Sequence, residues 1–365
     1  MAYATISKPG LYFNTVLYTG NGSTPRTVSG VGFQPDFTWI KNRTASSKSH
    51  VLVNVIQGYG SSGTTVKSNS TDAAENTSTT GRVADPGATT DGFTVGDSSF
   101  TNDNSQSIVA WNWKANGAAS ANTDGTAANV TVSANTTAGF SIVQFDATQS
   151  RVSVGHGLGS TPDAIIMKQT EAGGSGWIVG GFGLDWSGYL SLQDTAAFNN
   201  NNNDSSGTGR MFTPDGYAPT ASVWSTNGSA FLSGGTKTCI AYCFKSIKGY
   251  SKFGNYVGNG DANGTFVYTG FKPAWVIIKQ SSDTRDWIMV DNKRDPDNVV
   301  SNRLFPNNSD AQNTNNDMLD FTSNGFKIRN TNTTANVSGG TYIYMAFAEE
   351  PLVANVGASI PATAR

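Results

Sequence analysis

The sequence contains little charge. Lysine, arginine, aspartate and glutamate together make up 14% of the chain, whereas an ordinary soluble domain has about 25%. The formal net charge is -2 at neutral pH, so the chain has no basic field that would attract a phosphate backbone. This composition argues against nucleic acid as a partner. A polar but uncharged surface suits outward display or close packing between subunits.

Disulfide pairs, a leader sequence and long apolar runs are also missing. Cys239 and Cys243 would lie about 13 Å apart on a strand, which is beyond disulfide reach, so we expect two small buried side chains. The first residues lack the basic and then apolar pattern of a signal peptide. The longest apolar run, residues 342–348, is far shorter than the roughly 18 residues that a membrane helix needs. We therefore expect a protein that is made without secretion and without membrane insertion.

Helical periodicity is absent from the sequence. Every window that could form an amphipathic helix is interrupted by glycine, proline or asparagine. Short runs of β-branched and aromatic residues lie between turn residues instead, and such runs are typical of strands. Their close spacing favours a sandwich or a jelly roll. The sequence therefore predicts an all-β fold.

Sequence motifs that are typical of catalytic sites are missing as well. Only His50 and His156 could act as bases near neutral pH, and they occupy unrelated positions. The P-loop, HExxH, GxSxG and CxxC motifs do not occur. Glu349 and Glu350 are adjacent, so on a strand they would point to opposite faces rather than flank a sugar. We expect a protein that is not an enzyme and needs no cofactor.

A metal site is not indicated either. Three aspartates in one late segment, Asp310, Asp317 and Asp320, supply oxygen ligands of the type that calcium prefers. Their spacing lacks the regular odd positions and the glycine of an EF-hand loop. We expect this segment to be a solvated loop.

The sequence does contain one pattern of residues that occurs three times. Its first phrase joins glycine, proline, a hydrophobic run and lysine, as GFQPDFTWIK, GSTPDAIIMK and GFKPAWVIIK at residues 32–41, 159–168 and 270–279. The second joins aspartate or asparagine, glycine and an aromatic residue, at residues 91–93, 215–217 and 324–326. The third is an aromatic-rich run at residues 108–113, 240–244 and 342–347. Because the spacing is nearly constant, the chain consists of three diverged copies of one module.

The repeat period is the size of a domain. Successive proline phrases begin more than 100 residues apart, so each copy is long enough to bury its own core. This spacing indicates a string of three globular units with linker-like joints near residues 116–135 and 248–255. We predict three tandem antiparallel β-sandwiches of the jelly-roll or lectin-like type, over residues 1–117, 118–249 and 250–365.

The phrases also predict where the residues lie. Each proline phrase is almost continuously apolar, which indicates a strand that is covered on both sides. In the closing strand, large side chains alternate and share one face, and we expect them in the core: Trp111 and Trp113, Tyr242 and Phe244, Met345 and Phe347. The polar stretches in between, at residues 61–90, 199–203 and 307–317, predict long exposed loops.

A sugar-binding surface is the main functional alternative that the residues themselves suggest. Residues 183–189 of copy two have the character of an insertion and contain Asp185, Trp186 and Tyr189. An exposed aromatic ring can stack on a sugar while acidic or amide groups bind its hydroxyls. We therefore take these three as candidate ligand-binding residues. The structural alternative is that Trp186 and Tyr189 belong to the core or to a contact between domains.

Several of these segments resemble a module of tailed bacteriophages, especially marine ones. Residues 12–22 and 30–43 (YFNTVLYTGNG and GVGFQPDFTWIKNR) resemble the opening of that module, and residues 91–96 and 109–115 resemble its end. The C-terminal residues 342–351 resemble the way in which such phage proteins finish. The resemblance is strong in copies one and three. Copy two departs from it, because residues 140–145 stand where the Tyr-x-Gly-Asn-Gly opening would be.

The resemblance implies a virion component that is assembled in the host cytoplasm, and it brings no catalytic residues. A tail fibre or other surface appendage used in host attachment is the first expectation, a capsid decoration or head-fibre protein the second, and a polysaccharide depolymerase a remote third. The implied partners are other virion proteins, further copies of the chain and a host surface glycan. Since copy two diverges most, we hypothesise that it presents the specialised surface while the terminal copies form the scaffold.

Overall fold

The computed structural model describes residues 4–58, 63–76, 89–171, 175–200, 211–213, 218–228, 231–315 and 317–352. Within these ranges the only helical elements of three or more residues are a 3₁₀ turn at Pro9–Leu11 and a helix of one turn, α1 (Thr333–Asn336), which Asn332 caps. Every pairing between strands is antiparallel. The predicted all-β antiparallel fold is confirmed.

The strands form three groups along the chain, here called repeats 1, 2 and 3. Repeat 1 contains β1 (Phe13–Thr19), β2 (Arg26–Ser29), β3 (Phe37–Asn42), β4 (Val51–Asn54), β5 (Thr64–Lys67), β6 (Glu75–Asn76), β7 (Gly92–Val95) and β8 (Ser107–Trp113). Repeat 2 contains β9 (Ser120–Ala121), β10 (Ala128–Asn135), β11 (Phe140–Ala147), β12 (Arg151–Gly155), β13 (Ala164–Gln169), β14 (Trp177–Gly181), β15 (Val223–Asn227) and β16 (Lys237–Phe244). Repeat 3 contains β17 (Ser251–Val257), β18 (Phe266–Tyr268), β19 (Phe271–Gln280), β20 (Trp287–Asp291), β21 (Leu319–Thr322), β22 (Gly325–Ile328) and β23 (Thr341–Pro351).

Each repeat has a large sheet and a small sheet. The large sheets share one strand order, which is β1-β8-β3-β4 in repeat 1, β11-β16-β13-β14 in repeat 2 and β17-β23-β19-β20 in repeat 3. The small sheets are β2-β7, β12-β15 and β18-β22-β21. Apolar side chains between the two sheets give every repeat an interior of its own; in repeat 1, Val28 and Phe93 of the small sheet lie in the same cluster as Ile40 and Val51 of the large one.

The proline phrase forms a central strand of each large sheet. All residues of β3 and β13 are buried, and so are nearly all residues of β19. In β3, Ile40 packs toward the small sheet, while Phe37 and Trp39 lie in a second cluster on the opposite face. These strands are therefore covered on both sides, as predicted.

That second cluster is a core shared by all three repeats. Ring centroids are 4.3 Å apart for Phe37 and Tyr242, which join repeats 1 and 2. They are 5.7 Å apart for Trp113 and Trp275, which join repeats 1 and 3, while Phe244 and Phe347 join repeats 2 and 3 at 6.2 Å. The aromatic residues of the closing strands are core residues, as expected. The prediction of separate globular units on a string is wrong, because the outer faces of the large sheets are apolar and bury one another.

The predicted linker at residues 116–135 is also wrong. Its second half forms β10, which pairs with β11 and extends the large sheet of repeat 2, and β9 pairs with β10. Val130 and Val132 are buried there, and Thr131 between them is more exposed. This alternation of period two is a strand signal that the small and polar composition of the segment conceals.

In repeat 2 the buried aromatic position of the second phrase is held by Trp224. Residues 214–217, which include its aspartate and glycine, lie outside the described residues. In the pairing of the small sheets, Phe93 lies opposite Val28 and Phe326 opposite Val267, and the corresponding residue of repeat 2 is Trp224, opposite Val154. The buried aromatic position is thus kept in repeat 2 without the glycine that precedes it elsewhere.

The shared core predicts that the three repeats unfold together. Trp275 is fully buried and contacts Phe13 and Trp113 of repeat 1. Trp275→Ala should therefore lower the free energy of unfolding by about 3–5 kcal/mol. The whole chain should also unfold in a single transition in urea, followed by fluorescence and by circular dichroism. Leu17→Ala, at an exposed position of the edge strand β1, is the control and should change little. Three transitions, of which Trp275→Ala moves only one, would mean that the repeats are independent.

Candidate functional site

The repeats are locked together by segments that the sequence predicted to be free loops. After its fourth large-sheet strand, each repeat sends a polar segment onto the next repeat. One backbone N–H of this segment donates a hydrogen bond to a backbone carbonyl of the next repeat. That carbonyl belongs to the residue two positions after the lysine of the proline phrase. The three equivalent bonds run from Ala74 to Thr170 (2.7 Å), from Phe198 to Ser281 (2.8 Å) and from Gln312 to Arg43 (2.8 Å). The contacts close a ring, from repeat 1 to 2, from 2 to 3 and from 3 to 1.

The described parts of residues 61–90 and 307–317 are thus interfaces rather than long exposed loops, whereas Asn199 and Asn200 are exposed. Ser68 donates its hydroxyl to the carbonyl of Pro306, and the backbone N–H of Arg285 donates to the carbonyl of Thr195 at 3.0 Å. Of the five consecutive asparagines, only Asn199 and Asn200 are among the described residues. The polar composition satisfies the backbone groups of a neighbouring repeat, a role that composition alone cannot indicate.

The lysines that end the three proline phrases lie beneath these segments, fully buried. The ammonium group of Lys41 donates to the carbonyl of Ser309 in repeat 3 at 3.3 Å, and that of Lys168 donates to the carbonyl of Ser70 in repeat 1 at 3.1 Å. Lys279 donates to carbonyls of its own repeat, including that of Asp283 at 3.3 Å. The sequence shows that a lysine ends each proline phrase, but it does not indicate that this lysine is buried.

Burial lowers the pKa of each of these lysines to about 8. A carboxylate of the adjoining repeat opposes that shift in each case: Asp310 for Lys41, Asp72 for Lys168 and Asp194 for Lys279. Asp283 and Asp286 of repeat 3 also act on Lys279 in the same direction. A lysine of lowered pKa can be a nucleophile when it lies in a cleft. These three are inaccessible and bound to carbonyls, so their role is to fasten the ends of the large sheets.

An aromatic ring beside each lysine completes the contact. Trp177 donates its indole N–H to the carbonyl of Lys67 at 2.8 Å, and Trp287 donates to that of Ser191 at 2.9 Å. His50 holds the equivalent position in repeat 1, next to β4. Burial lowers the pKa of His50 well below its usual value, and the ring accepts a hydrogen bond from the indole of Trp39.

His156, the other histidine, is structural as well. The ring is buried, and its Nδ1 accepts a hydrogen bond from the backbone N–H of Leu158 at 3.2 Å. Burial lowers the pKa of His156 from its usual value. The ring stacks near Trp224, with centroids 6.3 Å apart. The two histidines lie in separate repeats and do not form a common site.

The candidate ligand-binding loop follows β14 in repeat 2. It connects Gly181 to Leu190, which bridges back to Val179. The corresponding connections in repeats 1 and 3 run from Asn54 to Val66 and from Asp291 to Leu304. The loop is therefore the shortest of the three, and its interpretation as an insertion is wrong. Its sequence differs because its packing differs.

Within this loop the three candidate residues have different surroundings. Trp186 is half-buried against Phe212, with ring centroids 5.6 Å apart at 73°, and it packs on the interior of repeat 2. Tyr189 is also half-buried, and its hydroxyl accepts a hydrogen bond from the Asn199 amide at 3.1 Å. Asp185 is exposed, and it accepts a bond from the backbone N–H of Ser187. Their role in ligand binding stays a prediction, which now depends mainly on Asp185.

The adjacent carboxylates of β23 line one groove. This groove has a volume of about 600 Å³ and lies between the start of repeat 1 and the ends of β20 and β23. Both Glu349 and Glu350 line it, at a point where the register between β19 and β23 is irregular around Pro273. Glu349 pairs with Lys272 at 3.0 Å, and burial raises the pKa of Glu350, with a smaller contribution from Glu349.

Among the described residues, no group of three or more histidine, cysteine, aspartate or glutamate side chains could hold a metal ion. Asp320 pairs with Arg329 at 2.8 Å, and Asp310 lies near Lys41. The two cysteines are buried and unpaired, as expected. In the described part of the chain, no helix has the length and apolar character needed to span a membrane.

One comparison with known proteins gives a match. A family model described as a domain of unknown function, DUF7483, matches residues 8–351. No curated protein and no solved structure matches the chain. The matched range runs from before β1 to the end of β23, so one family model covers all three repeats.

The buried lysines predict how stability depends on pH. Below pH 8 they are protonated in both the folded and unfolded states, so the cost of burying the charges is fully present. Above a pH of about 8 the folded protein releases these protons, whereas the unfolded chain keeps them up to about 10.5. The free energy of unfolding should therefore rise between about pH 8 and 9, measured by urea titration.

Lys168→Met tests the origin of that rise. This variant should be less stable at pH 7, because the carbonyls of Ser70 and Ser175 lose their donor. It should also show a shallower increase with pH than the unchanged protein. Lys237→Met, which removes a surface partner of Glu171, is the matched control and should keep the full increase. An identical increase in Lys168→Met would contradict the assignment.

The loop of repeat 2 gives a separate prediction. Trp186→Ala should lower the free energy of unfolding by about 2 kcal/mol, since the ring is half-buried and a fully buried one is worth more. Asp185→Asn keeps the hydrogen bond to Ser187 and should change stability by less than about 0.5 kcal/mol. Thermal denaturation measures both. If Trp186→Ala is as stable as the unchanged protein, the ring is not packed and is available to a ligand.

Proposed function

The chain belongs to the DUF7483 family, and we propose that it is a non-enzymatic structural protein of a bacteriophage virion. Its place is a tail fibre or another surface appendage that takes part in host attachment. The observation that carries this proposal is the closed ring of contacts between the repeats around one shared core. A closed ring of this kind favours a rigid building block over an assembly of mobile domains.

The construction of the block supports this role. Its apolar faces are turned inward and its polar segments are used to close the ring, so three related sandwiches present their remaining surfaces outward. A surface of low charge permits close contact with other virion proteins and with further copies of the chain. It also suits a host glycan, whose hydroxyl groups bind to neutral polar side chains and backbone groups.

A capsid decoration or head-fibre protein is the second candidate. The specific observation in its favour is that the repeats close into a compact ring instead of extending along an axis. One chain with three equivalent lobes would match a site of threefold symmetry on a capsid. This role needs the same rigidity, and it differs from the first in location and in copy number.

Localisation on purified particles tests both roles. Antibodies against the recombinant protein, used for immunogold labelling of the phage that encodes it, should label the tail or its appendages. Recombinant protein added to host cells should compete with the phage for adsorption. Labelling over the whole head, at an abundance close to that of the major capsid protein, would favour decoration. Release of reducing sugars from host polysaccharide would instead revive the depolymerase, and absence from the particle would end all three proposals.

A further inference from the structure

Repeat 3 carries an aromatic surface that has no counterpart among the described residues of repeats 1 and 2. Phe266 and Tyr268 of β18 are 45% and 56% exposed, and Val257 at the end of β17 is 56% exposed. Between the two rings, Val267 points inward to the core of repeat 3. The rings therefore stand on the outer face of the small sheet, about 7 Å apart along an edge strand. Large apolar side chains in such a position mark an interaction site more often than chance.

Glycines beneath the rings shape this face. A Cβ atom at Gly325, on the neighbouring strand β22, would lie 3.2 Å from Cζ of Phe266. A Cβ atom at Gly270 would lie 3.5 Å from the hydroxyl of Tyr268. The rings thus lie close against the backbone of these two glycines. A ring that is supported from below and open above is the geometry that stacking on a flat ligand requires.

A groove beside Tyr268 adds charge to this surface. It has a volume of about 280 Å³ and lies where repeat 2 joins repeat 3. Lys248 and Lys252 line it together with Tyr268, and none of its lining residues is acidic. Lys327 lies opposite Phe266 on β22, on the same outer face. The aromatic rings are therefore bordered by ammonium groups, although the chain as a whole carries a small negative charge.

The corresponding positions of the other repeats carry no aromatic side chain. By the pairing of the small sheets, Phe266 and Tyr268 correspond to Thr27 and Ser29 in repeat 1, and to Ser153 and Gly155 in repeat 2. The common fold therefore does not need aromatic residues here. Two exposed rings that the architecture does not require call for a different explanation, and ligand contact provides one.

We propose that this face of repeat 3 binds an acidic glycan. Phe266 and Tyr268 stack on successive sugar rings, and Lys252 pairs with the carboxylate or sulfate groups of the same chain. The charge complementarity selects an acidic polysaccharide over a neutral one, and the spacing of the rings suits an extended chain. The inference rests on the proposed role in host attachment, and it places recognition in repeat 3 rather than at Asp185, Trp186 and Tyr189 in repeat 2.

Calorimetric titration of the full chain tests the proposal. The probes are oligomers of polygalacturonate and of a sulfated galactan, with a malto-oligosaccharide of equal length as the neutral comparison. We expect binding of an acidic probe that weakens as salt is added. Phe266→Ala and Tyr268→Ala should each raise the dissociation constant about tenfold, which corresponds to the upper range of stacking energies. Lys252→Gln should weaken binding of the acidic probe and leave thermal stability unchanged.

Leu17→Ala, which removes an exposed apolar side chain from repeat 1, is the matched control and should bind as the unchanged protein does. Failure of both acidic probes to bind would overturn the proposal. So would full binding by the double variant of Phe266 and Tyr268, or equal affinity for the neutral probe. Immunogold labelling is independent of this result: a virion protein that binds no acidic glycan loses only this inference, whereas a glycan-binding protein absent from the particle loses the structural role.

Discussion

Mutual burial of the outer faces of the three large sheets is the interaction on which the rest of this structure depends. Each sandwich already has an interior between its two sheets, so its large sheet is apolar on both sides. A lone repeat would leave rings such as those of Trp113, Trp275 and Phe347 in water. Packing the three faces together removes that surface, and it brings the ends of the sheets close enough for the polar segments and the buried lysines to close the ring.

The shared core also explains how the copies could diverge. Three pairs of positions are equivalent between the repeats: Trp111 and Asp291, Tyr242 and Asn54, and Met345 and Gly181. The first pair is joined by an indole-to-carboxylate hydrogen bond of 3.0 Å and the second by an amide-to-phenol bond of 3.0 Å. The third pair has no polar side chain. In the two pairs that carry polar side chains, each polar group meets a polar partner, as expected where an unpaired buried group is costly.

The separation between buried and exposed surface defines where function can lie. The histidines, the lysines of lowered pKa and most of the large rings are committed to the core or to contacts between repeats. In the part of the chain that the structure describes, the exposed large apolar side chains are few, and repeat 3 carries two exposed rings beside a groove lined by lysines. A rigid interior with an unequal exterior suits a protein whose repeats share one architecture but make different contacts.

The sequence by itself determined the fold class, the threefold repeat and the buried strands, because alternation and turn residues are local properties of the chain. It also indicated that the closing-strand aromatics are core residues. Only the tertiary structure decided that the repeats share a core, that residues 116–135 form strands, and that Glu349 and Glu350 reach one groove. It likewise placed Trp186 in packing and left Phe266 and Tyr268 exposed. These features depend on which faces meet across distant parts of the chain, and an apolar face in a sequence does not reveal which other face will cover it.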